Sequence, residues 1–308
     1  MAQASENRIS RIAARADRLQ QRHHALSFPF AVIKKYNDDQ AGQQAALLTY
    51  YGFLALFPLL LVATSIADFI AQHDAHVRVR LLNDVASYFP VVGHELQQNI
   101  HSGHRTGLAL IVGLLFALYG AQGIAKAIRN TLDSTWGTPR TKRSTFPIST
   151  LKNLELLFGA GLGLLLTTAL ASYATAALGH SFLFRLVPIA LNAVLLYLLC
   201  MYVFLVGASQ RRPRRDLRIG AITAVIGLLF LQTIGGYLIT HQLHTTSGLY
   251  GQFALVLAIL FWIYLLAQMF TYAIEINVVH TYRLWPRSLS GTRPTMADER
   301  AQQLRPEQ

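Results

Sequence analysis

The residues best suited to chemistry lie near the carboxyl end of the chain, on one face of a predicted helix. Tyr264, Gln268, Thr271 and Glu275 recur at helical spacing within an apolar segment, and Asn277 follows them. A carboxylate inside a membrane helix costs about 3 kcal/mol on insertion scales, so it normally faces protein or water and has a partner. The stripe predicts a polar cavity that opens to the cytoplasm, with Glu275 paired to a basic residue.

Two residues of the first apolar segment are predicted to line the same path. Tyr50 supplies a polar group, and Pro58 cannot donate a backbone hydrogen bond to Leu54, so a kink near mid-membrane is expected. The candidate charge partners of Glu275 lie at the predicted cytoplasmic ends of neighbouring helices: Lys126, Arg129, Lys152 and Glu155. The alternative is that Glu275 merely snorkels to the interface. Under the cavity hypothesis, Glu275→Gln should impair function but leave membrane insertion intact.

The helices that carry these residues are predicted to span a membrane. Hydrophobic residues make up 53% of the chain and charged residues only 14%, whereas soluble domains carry about 25% charged residues. Residues 1–30 contain no apolar core of a cleavable signal peptide, so the first span is expected to act as an uncleaved insertion signal. Nucleotide-binding, zinc-protease and serine-hydrolase motifs are missing, so we predict no enzymatic activity and no cofactor.

Apolar segments long enough to cross a bilayer predict an all-α, polytopic bundle of six spans. They cover residues 45–71, 107–125, 154–178, 187–208, 219–240 and 253–279. Of the 27 Lys and Arg residues, 23 fall in segments on one side of this arrangement. The positive-inside rule therefore predicts that both termini are cytoplasmic.

The same distribution explains the formal net charge of +12 without nucleic-acid binding. A run of arginines between the fourth and fifth spans is expected to fix the topology and contact anionic lipid headgroups: Arg211, Arg212, Arg214 and Arg215. Residues 1–42 form a basic segment, either an amphipathic helix on the membrane surface or a disordered tail. Residues 43–280 form the membrane domain, and the proline-containing residues 281–308 are expected to be a flexible cytoplasmic tail.

Small residues and histidines suggest two further features. Ala41, Ala45, Thr49 and Gly52 form a strip on which another helix can pack closely. Glycines in the later spans, such as Gly159 and Gly163, favour close packing, with a helix hinge as the alternative.

Histidine pairs at i, i+3 on the outer side could chelate a metal ion if the segments that contain them are helical. The favoured interpretation is that they are polar loop residues, and we predict no metal site. The pairs are His73 and His76, His101 and His104, and His241 and His244.

Two blocks of this sequence resemble a known family of membrane proteins. The first, NDDQAGQQAALLTYYGFLALFPLLL at 37–61, combines an acidic dipeptide, an Ala-rich helix with tyrosines and a Leu-Phe-Pro step. The second, LYGQFALVLAILFWIYLLAQMFTYAIEINV at 249–278, contains Tyr250-Gly251, Trp262-x-Tyr264 and Ala273-Ile274-Glu275. Together they resemble the YihY/BrkB family, and the sequence of the first block is most similar to the YhjD-like branch of that family. The family's usual glycine before Ala273 is Tyr272 here.

The resemblance implies a six-span protein of a bacterial inner membrane with a role in the integrity of the cell envelope. The YhjD-like branch is associated with export of a lipopolysaccharide precursor. We therefore expect transport of an envelope component such as an anionic lipid precursor, with anionic headgroups bound at the cytoplasmic face. The alternatives are a scaffold that organises envelope proteins and a membrane-embedded lipid enzyme; a homo-oligomer and an envelope-protein partner both stay open. The ribonuclease label once given to some members does not fit this chain, since it lacks that enzyme's His-rich metal motif.

Overall fold

The computed structural model describes residues 24–71, 107–177, 182–242, 251–288 and 294–304. Eight α-helices contain most of them, and none of these residues is in a β-strand, so the predicted all-α class is confirmed. In chain order the helices are α1 (His24–Asp38), α2 (Ala41–Ala71), α3 (Gly107–Thr135), α4 (Ile148–Ala177), α5 (Phe182–Gly207), α6 (Arg214–Gln242), α7 (Gly251–Tyr282) and α8 (Met296–Gln303). A 3₁₀ turn, Arg140–Lys142, lies between α3 and α4.

Four described segments are long and apolar enough to cross a membrane: Ile148–Thr167, Ile189–Gly207, Arg214–Ile234 and Val256–Tyr282. They belong to α4, α5, α6 and α7 and coincide with four of the predicted spans. The other two predicted spans fall in α2 and α3, which contain 31 and 29 residues. At 1.5 Å per residue, either helix exceeds the hydrocarbon thickness of about 30 Å. The total of six spans and the cytoplasmic termini stay predictions.

The strip of small residues on α2 packs against α7. Ala41 and Ala45 are buried, and a Cβ atom added to Gly52 would come within 2.9 Å of Ile263 Cγ2. Glycine at this position therefore allows the two helices to approach closely. The prediction of close packing on this strip is confirmed.

Glycines of α4 play the same part against α5. A Cβ atom added to Gly163 would lie 2.8 Å from Leu199 Cδ1, and one added to Gly159 would overlap the Tyr202 hydroxyl, which donates a 2.7 Å hydrogen bond to the carbonyl of Glu155. These contacts support the packing interpretation of the two glycines rather than the hinge.

The largest cluster of buried side chains lies where α1 and α8 meet one end of the bundle. Trp136, Phe204, Leu217 and Val278 form its centre, contributed by the end of α3 and by α5, α6 and α7. Side chains of α1 and α8 complete this cluster. The two short helices are therefore part of the folded core at the end of the bundle that is predicted to be cytoplasmic.

The chain after α7 differs from the expected flexible tail. Residues 294–304 form a turn and α8, which begins with a capping box in which Thr295 and Asp298 exchange hydrogen bonds. Leu284 is fully buried, and Ala301 is 4% exposed. Proline and charged residues suggested disorder because their interaction partners are distant in sequence; in the fold those charges are paired.

Candidate functional site

The part of the polar stripe of α7 that contains Thr271, Glu275 and Asn277 is buried, and Glu275 lies against α1. Glu275 is fully buried, and its Oε2 atom lies 3.5 Å from Nζ of Lys35, which is 3% exposed. Lys35 also forms an ion pair with Asp39 and donates a 3.3 Å hydrogen bond to the carbonyl of Thr135. Burial excludes the alternative in which Glu275 snorkels to the interface. The predicted pairing with a basic residue is present, but its partner is Lys35.

The four predicted partners of Glu275 lie elsewhere. Lys126 and Arg129 face the space between α3 and α4, Lys152 donates a 3.0 Å hydrogen bond to Ser144 Oγ, and Glu155 is exposed on α4. The predicted partners all lie at the ends of predicted spans. Lys35 instead lies on α1, which precedes the first span and packs against α7. The one local signal for Lys35 is its i, i+4 spacing from Asp39 on a helix.

The rest of the stripe also makes its contacts within the protein. Thr271 donates hydrogen bonds to the carbonyls of Ala267 and Gln268 in its own helix, at 3.1 and 2.9 Å. Asn277 accepts a 2.6 Å hydrogen bond from the backbone N–H of Gly220, which ties α7 to α6. Both side chains are buried. The contacts of Asn277 thus join α7 to α6, and those of Thr271 lie within α7.

The opposite end of the stripe is attached to α1 through aromatic residues. Tyr36 stacks on Tyr272 with ring centroids 4.3 Å apart, and its hydroxyl donates a hydrogen bond to Gln268. Gln268 in turn donates to the hydroxyl of Tyr264, which is 36% exposed. The backbone of Pro58 lies within α2, but its side chain is outside the described side chains.

The cavity of about 800 Å³ lies on another face of the bundle, between α2, α3, the α3–α4 connection and the start of α4. Of the predicted path residues whose side chains are described, Tyr50 alone lines it. Exposed apolar and aromatic residues form its rim: Tyr50, Leu54, Tyr119 and Phe146. Polar and charged residues line the remainder: Gln122, Lys126, Arg129, Asn130, Asp133, Arg143, Ser144, Ser149, Thr150, Asn153 and Ser209. One cavity therefore combines exposed apolar side chains with three cations, of which Arg129 is buried.

Arg129 is the most deeply placed cation of the cavity, with 6% of its surface exposed. Its Nη1 donates 3.0 Å hydrogen bonds to the carbonyl of Ser149 and to Asn153 Oδ1, and its Nη2 donates a 3.2 Å hydrogen bond to Ser144 Oγ. Its Nε has no hydrogen-bond partner among the described residues. These neutral acceptors hold the guanidinium in place but do not neutralise its charge.

The carboxylate in the cavity is already engaged. Asp133 accepts hydrogen bonds from the backbone N–H and the hydroxyl of Ser209, at 2.9 and 2.5 Å. Arg143 donates from Nε to the carbonyl of Thr138 at 3.1 Å, which orients the α3–α4 connection along the cavity. Sequence patterns give no local signal for this site, because its residues come from five segments and match no motif.

The arginine run before α6 divides into two kinds of residue. Arg212 donates a 3.0 Å hydrogen bond to the hydroxyl of Tyr282, and its guanidinium carbon lies 4.7 Å from the ring centre of Trp136. Arg211, Arg214 and Arg215 are exposed, and the Arg215 side chain is 83% exposed. Arg212 thus stabilises the fold, while contact of the exposed three with headgroups stays a prediction.

Charged side chains attach α1 to the segment after α7. Asp298 accepts from Lys34 Nζ at 2.9 Å, from Arg287 Nε at 3.0 Å and from the backbone N–H of Ser288 at 2.9 Å, while Arg287 also pairs with Asp38 at 2.8 Å. Burial alone would raise the pKa of Asp298, but the hydrogen bonds donated to its carboxylate outweigh burial and hold that pKa well below its usual range.

Among the described residues, no group of three or more His, Cys, Asp or Glu side chains could hold a metal ion. Two of the predicted histidine pairs, His73 with His76 and His101 with His104, lie outside the described residues. His241 is within α6, but its partner His244 is outside as well. The prediction about metal binding on the outer side is therefore untested.

Comparisons with known proteins agree with this architecture. The family described as Virulence factor BrkB matches residues 32–296. The Inner membrane protein YhjD of Escherichia coli is 24% identical over 298 residues, covering 89% of this chain and 87% of its own length. The Putative ribonuclease-like protein YfkH of Bacillus subtilis is 22% identical, covering 82% of this chain and 95% of its own length.

A further relative, a UPF0761 membrane protein of Saccharophagus degradans, is 28% identical over 76% of this chain and 55% of its own length. No solved structure matches. The matched relatives and the apolar helices place the chain in a bacterial inner membrane as a multi-pass protein. The chain belongs to the BrkB family of membrane proteins, also called YihY/BrkB.

Proposed function

We propose that the protein binds an anionic membrane lipid of the cell envelope in the cavity beside Arg129 and moves it across the inner membrane. The observation that carries this proposal is that one cavity combines exposed apolar side chains with three cations, of which Arg129 is buried. A soluble anion would need only the cations, whereas a lipid brings a charged headgroup and apolar chains together. The exposed rim offers a surface for the chains while the headgroup contacts the interior.

Polar groups continue from the cavity interior along α3 toward the predicted middle of the membrane. Lys126 lies one turn before Arg129 in the chain, and Gln122 one turn before Lys126. Gly120 and Gly123 face α2, where an added Cβ atom would come within 3.1 Å of Ala55 Cα and 2.4 Å of Tyr51 Cδ1, respectively. Movement of a headgroup along this line requires α2 and α3 to separate at these glycine contacts.

No chemical step on the lipid is involved, and the lipid is expected to enter from the cytoplasmic leaflet because of the positive-inside distribution of Lys and Arg.

The test is reconstitution of the full chain in liposomes with a fluorescent anionic lipid. Thr150 lines the cavity from α4, whereas its neighbour Leu151 does not and is 69% exposed. Thr150→Trp should therefore slow translocation at least about tenfold by filling the cavity.

Leu151→Trp adds the same indole one residue away and should leave the rate unchanged. Equal rates for the wild type and Thr150→Trp would place the path outside this cavity. If the wild-type protein moved no lipid, the transport proposal would fall, and a scaffold that organises envelope proteins would become the favoured function.

A further inference from the structure

We infer that the cavity selects lipids whose headgroup ends in a phosphate monoester, with Arg129 as the anchor of that phosphate. The inference rests on the proposed binding of an anionic lipid and adds the class of headgroup. It depends on three properties of the cavity: its charge, the donors that Arg129 has left, and the state of its carboxylate.

The cavity contains more positive charge than a phosphodiester can neutralise. Its lining has three cations, Lys126, Arg129 and Arg143, and one carboxylate, Asp133. Two further charged residues of α4 lie nearby: Lys152 donates a hydrogen bond to Ser144 of the lining, and the carboxylate of Glu155 acts electrostatically on Arg129. Because one is a cation and the other an anion, they leave the net charge unchanged. The lining therefore has two uncompensated positive charges. A phosphodiester carries one negative charge, whereas a phosphate monoester carries about 1.5 to 2 at neutral pH.

Arg129 retains donor capacity in a fixed position. Its contacts to Ser144, Ser149 and Asn153 use neutral oxygen atoms, and its Nε–H has no partner among the described residues although the side chain is almost fully buried. A buried N–H without an acceptor is unfavourable, so an acceptor from a ligand is favoured there. A guanidinium matches the oxygens of a phosphate, and its bond to an anion is about twice as strong as a neutral hydrogen bond.

Asp133 does not cancel this preference. Both of its carboxylate oxygens accept from Ser209, and its negative charge, which also acts on Arg129, is the one already subtracted in the net charge of the lining. The hydroxyls of Ser144 and Thr150 and the amide of Asn130 add neutral donors along the lining. A terminal phosphate presents three oxygens to such donors, and a diester presents only two.

The test measures lipid binding by the purified full-length chain. Vesicles of phosphatidylcholine are doped with phosphatidic acid, a phosphate monoester, or with phosphatidylglycerol, a diester. At pH 8 we expect phosphatidic acid to bind about tenfold more tightly. Because the second ionisation of a phosphate monoester lies near pH 6, lowering the pH to about 5.5 should reduce this preference to about threefold or less. Binding of phosphatidylglycerol should change little.

Three variants separate the anchor from general electrostatic attraction. Arg129→Gln should abolish the preference for phosphatidic acid, and Arg129→Lys should retain part of it, because lysine keeps the charge but loses the planar fork. Arg218 is exposed on α6 outside the cavity, and Arg218→Gln removes the same charge without affecting the preference. If Arg129→Gln does not fold, the double variant Lys126→Gln/Arg143→Gln must reduce the preference instead.

The outcomes distinguish this inference from the proposed function. Equal binding of the two lipids at pH 8, with translocation of both intact, would overturn the monoester preference and leave lipid transport standing. An unchanged preference in folded Arg129→Gln would overturn the role of Arg129. Absence of binding to either lipid would overturn both the inference and the function on which it rests.

Discussion

Two polar regions of this molecule differ in how their charges are satisfied. The cluster around Glu275 is closed to solvent: Lys35 lies against Glu275, Asp39 and the carbonyl of Thr135, and the side chains of Lys35 and Glu275 are nearly or fully buried. The opposite charge of Lys35 compensates Glu275, although neither carboxylate oxygen of Glu275 has a hydrogen-bond partner among the described residues. The cavity around Arg129 is open at an apolar rim, and its cations outnumber its carboxylates. Removing one member of a buried ion pair leaves an uncompensated charge and is strongly destabilising, so the folded state depends on both partners. Uncompensated donors beside an opening are suited to a ligand, so we assign structure to the first region and binding to the second.

The largest effect is expected from removing Lys35. Lys35→Ala leaves Glu275 buried without its cation, and breaking a buried pair costs about 3–5 kcal/mol. Thermal unfolding of the purified protein should show a clear loss of stability. The double variant Lys35→Met/Glu275→Gln removes both charges and should recover much of it. A Lys35→Ala protein as stable as the wild type would contradict the closed character of this cluster.

Glu275→Gln tests whether the closed region also takes part in function. Lys35 keeps Asp39 and the carbonyl of Thr135 as partners, so we expect a smaller loss of about 1–3 kcal/mol. Translocation should fall with the amount of folded protein. The polar stripe is itself part of the path if translocation per folded molecule is lost while the cavity still binds phosphatidic acid. The assignment of a purely structural role to the Glu275 cluster would then be wrong.

The next largest loss of stability is expected from weakening the attachment of α8. Asp298→Ala removes the acceptor shared by Lys34, Arg287 and Ser288, and we expect a loss of about 2–3 kcal/mol for docking of residues 294–304. Hydrogen exchange of the α8 amides measures it directly. Since Lys34 lies on α1, faster exchange in α1 is also expected. Unchanged protection of both helices would show that these ion pairs do not hold the tail.

The same carboxylate predicts acid sensitivity. The folded-state pKa of Asp298 lies below its unfolded value of about 3.9. Its contribution to stability is therefore fully present above that value and is lost as the pH falls through the folded-state pKa. Protection of α8 should decline below about pH 4 in the wild type, and the part of the decline due to Asp298 should be absent from Asp298→Asn. An identical decline in the two proteins would remove Asp298 as the cause.

The smallest effect concerns Arg212, which packs on Trp136 and hydrogen-bonds Tyr282. Arg212→Gln should cost about 1 kcal/mol of stability. Arg214→Gln, next to it but exposed, should cost less than about 0.5 kcal/mol. Thermal unfolding compares the two variants, and equal shifts would mean that the cation–π contact contributes nothing measurable.

Much of the fold could be predicted because hydrocarbon imposes simple rules on a sequence. Long apolar segments indicate helices, and the four described segments that are long and apolar enough to cross a membrane overlap predicted spans. The strip from Ala41 to Gly52 also packs as its small residues suggest. α8 was recognisable too, since Thr295 and Asp298 have capping-box spacing, but the prolines nearby pointed to disorder.

The site was harder to predict, because its geometry depends on contacts between distant segments. Nothing local indicates that Lys35 reaches Glu275, which lies 240 residues later. A polar stripe such as Gln268, Thr271 and Glu275 has the same sequence pattern whether it faces a cavity or another helix. Ser144 and Asn153 are ordinary polar residues until the α3–α4 connection brings them to Arg129.

The central claim is that lipid headgroups bind in the Arg129 cavity and not along the polar stripe of α7. Photocrosslinking with a phosphatidic acid that carries the reactive group on its headgroup tests this directly in reconstituted protein. The account predicts adducts concentrated in residues 126–133 and 143–150, and their loss in Arg129→Gln but not in Arg218→Gln. Adducts concentrated at Tyr264 and Gln268, or spread equally over all helices, would contradict it.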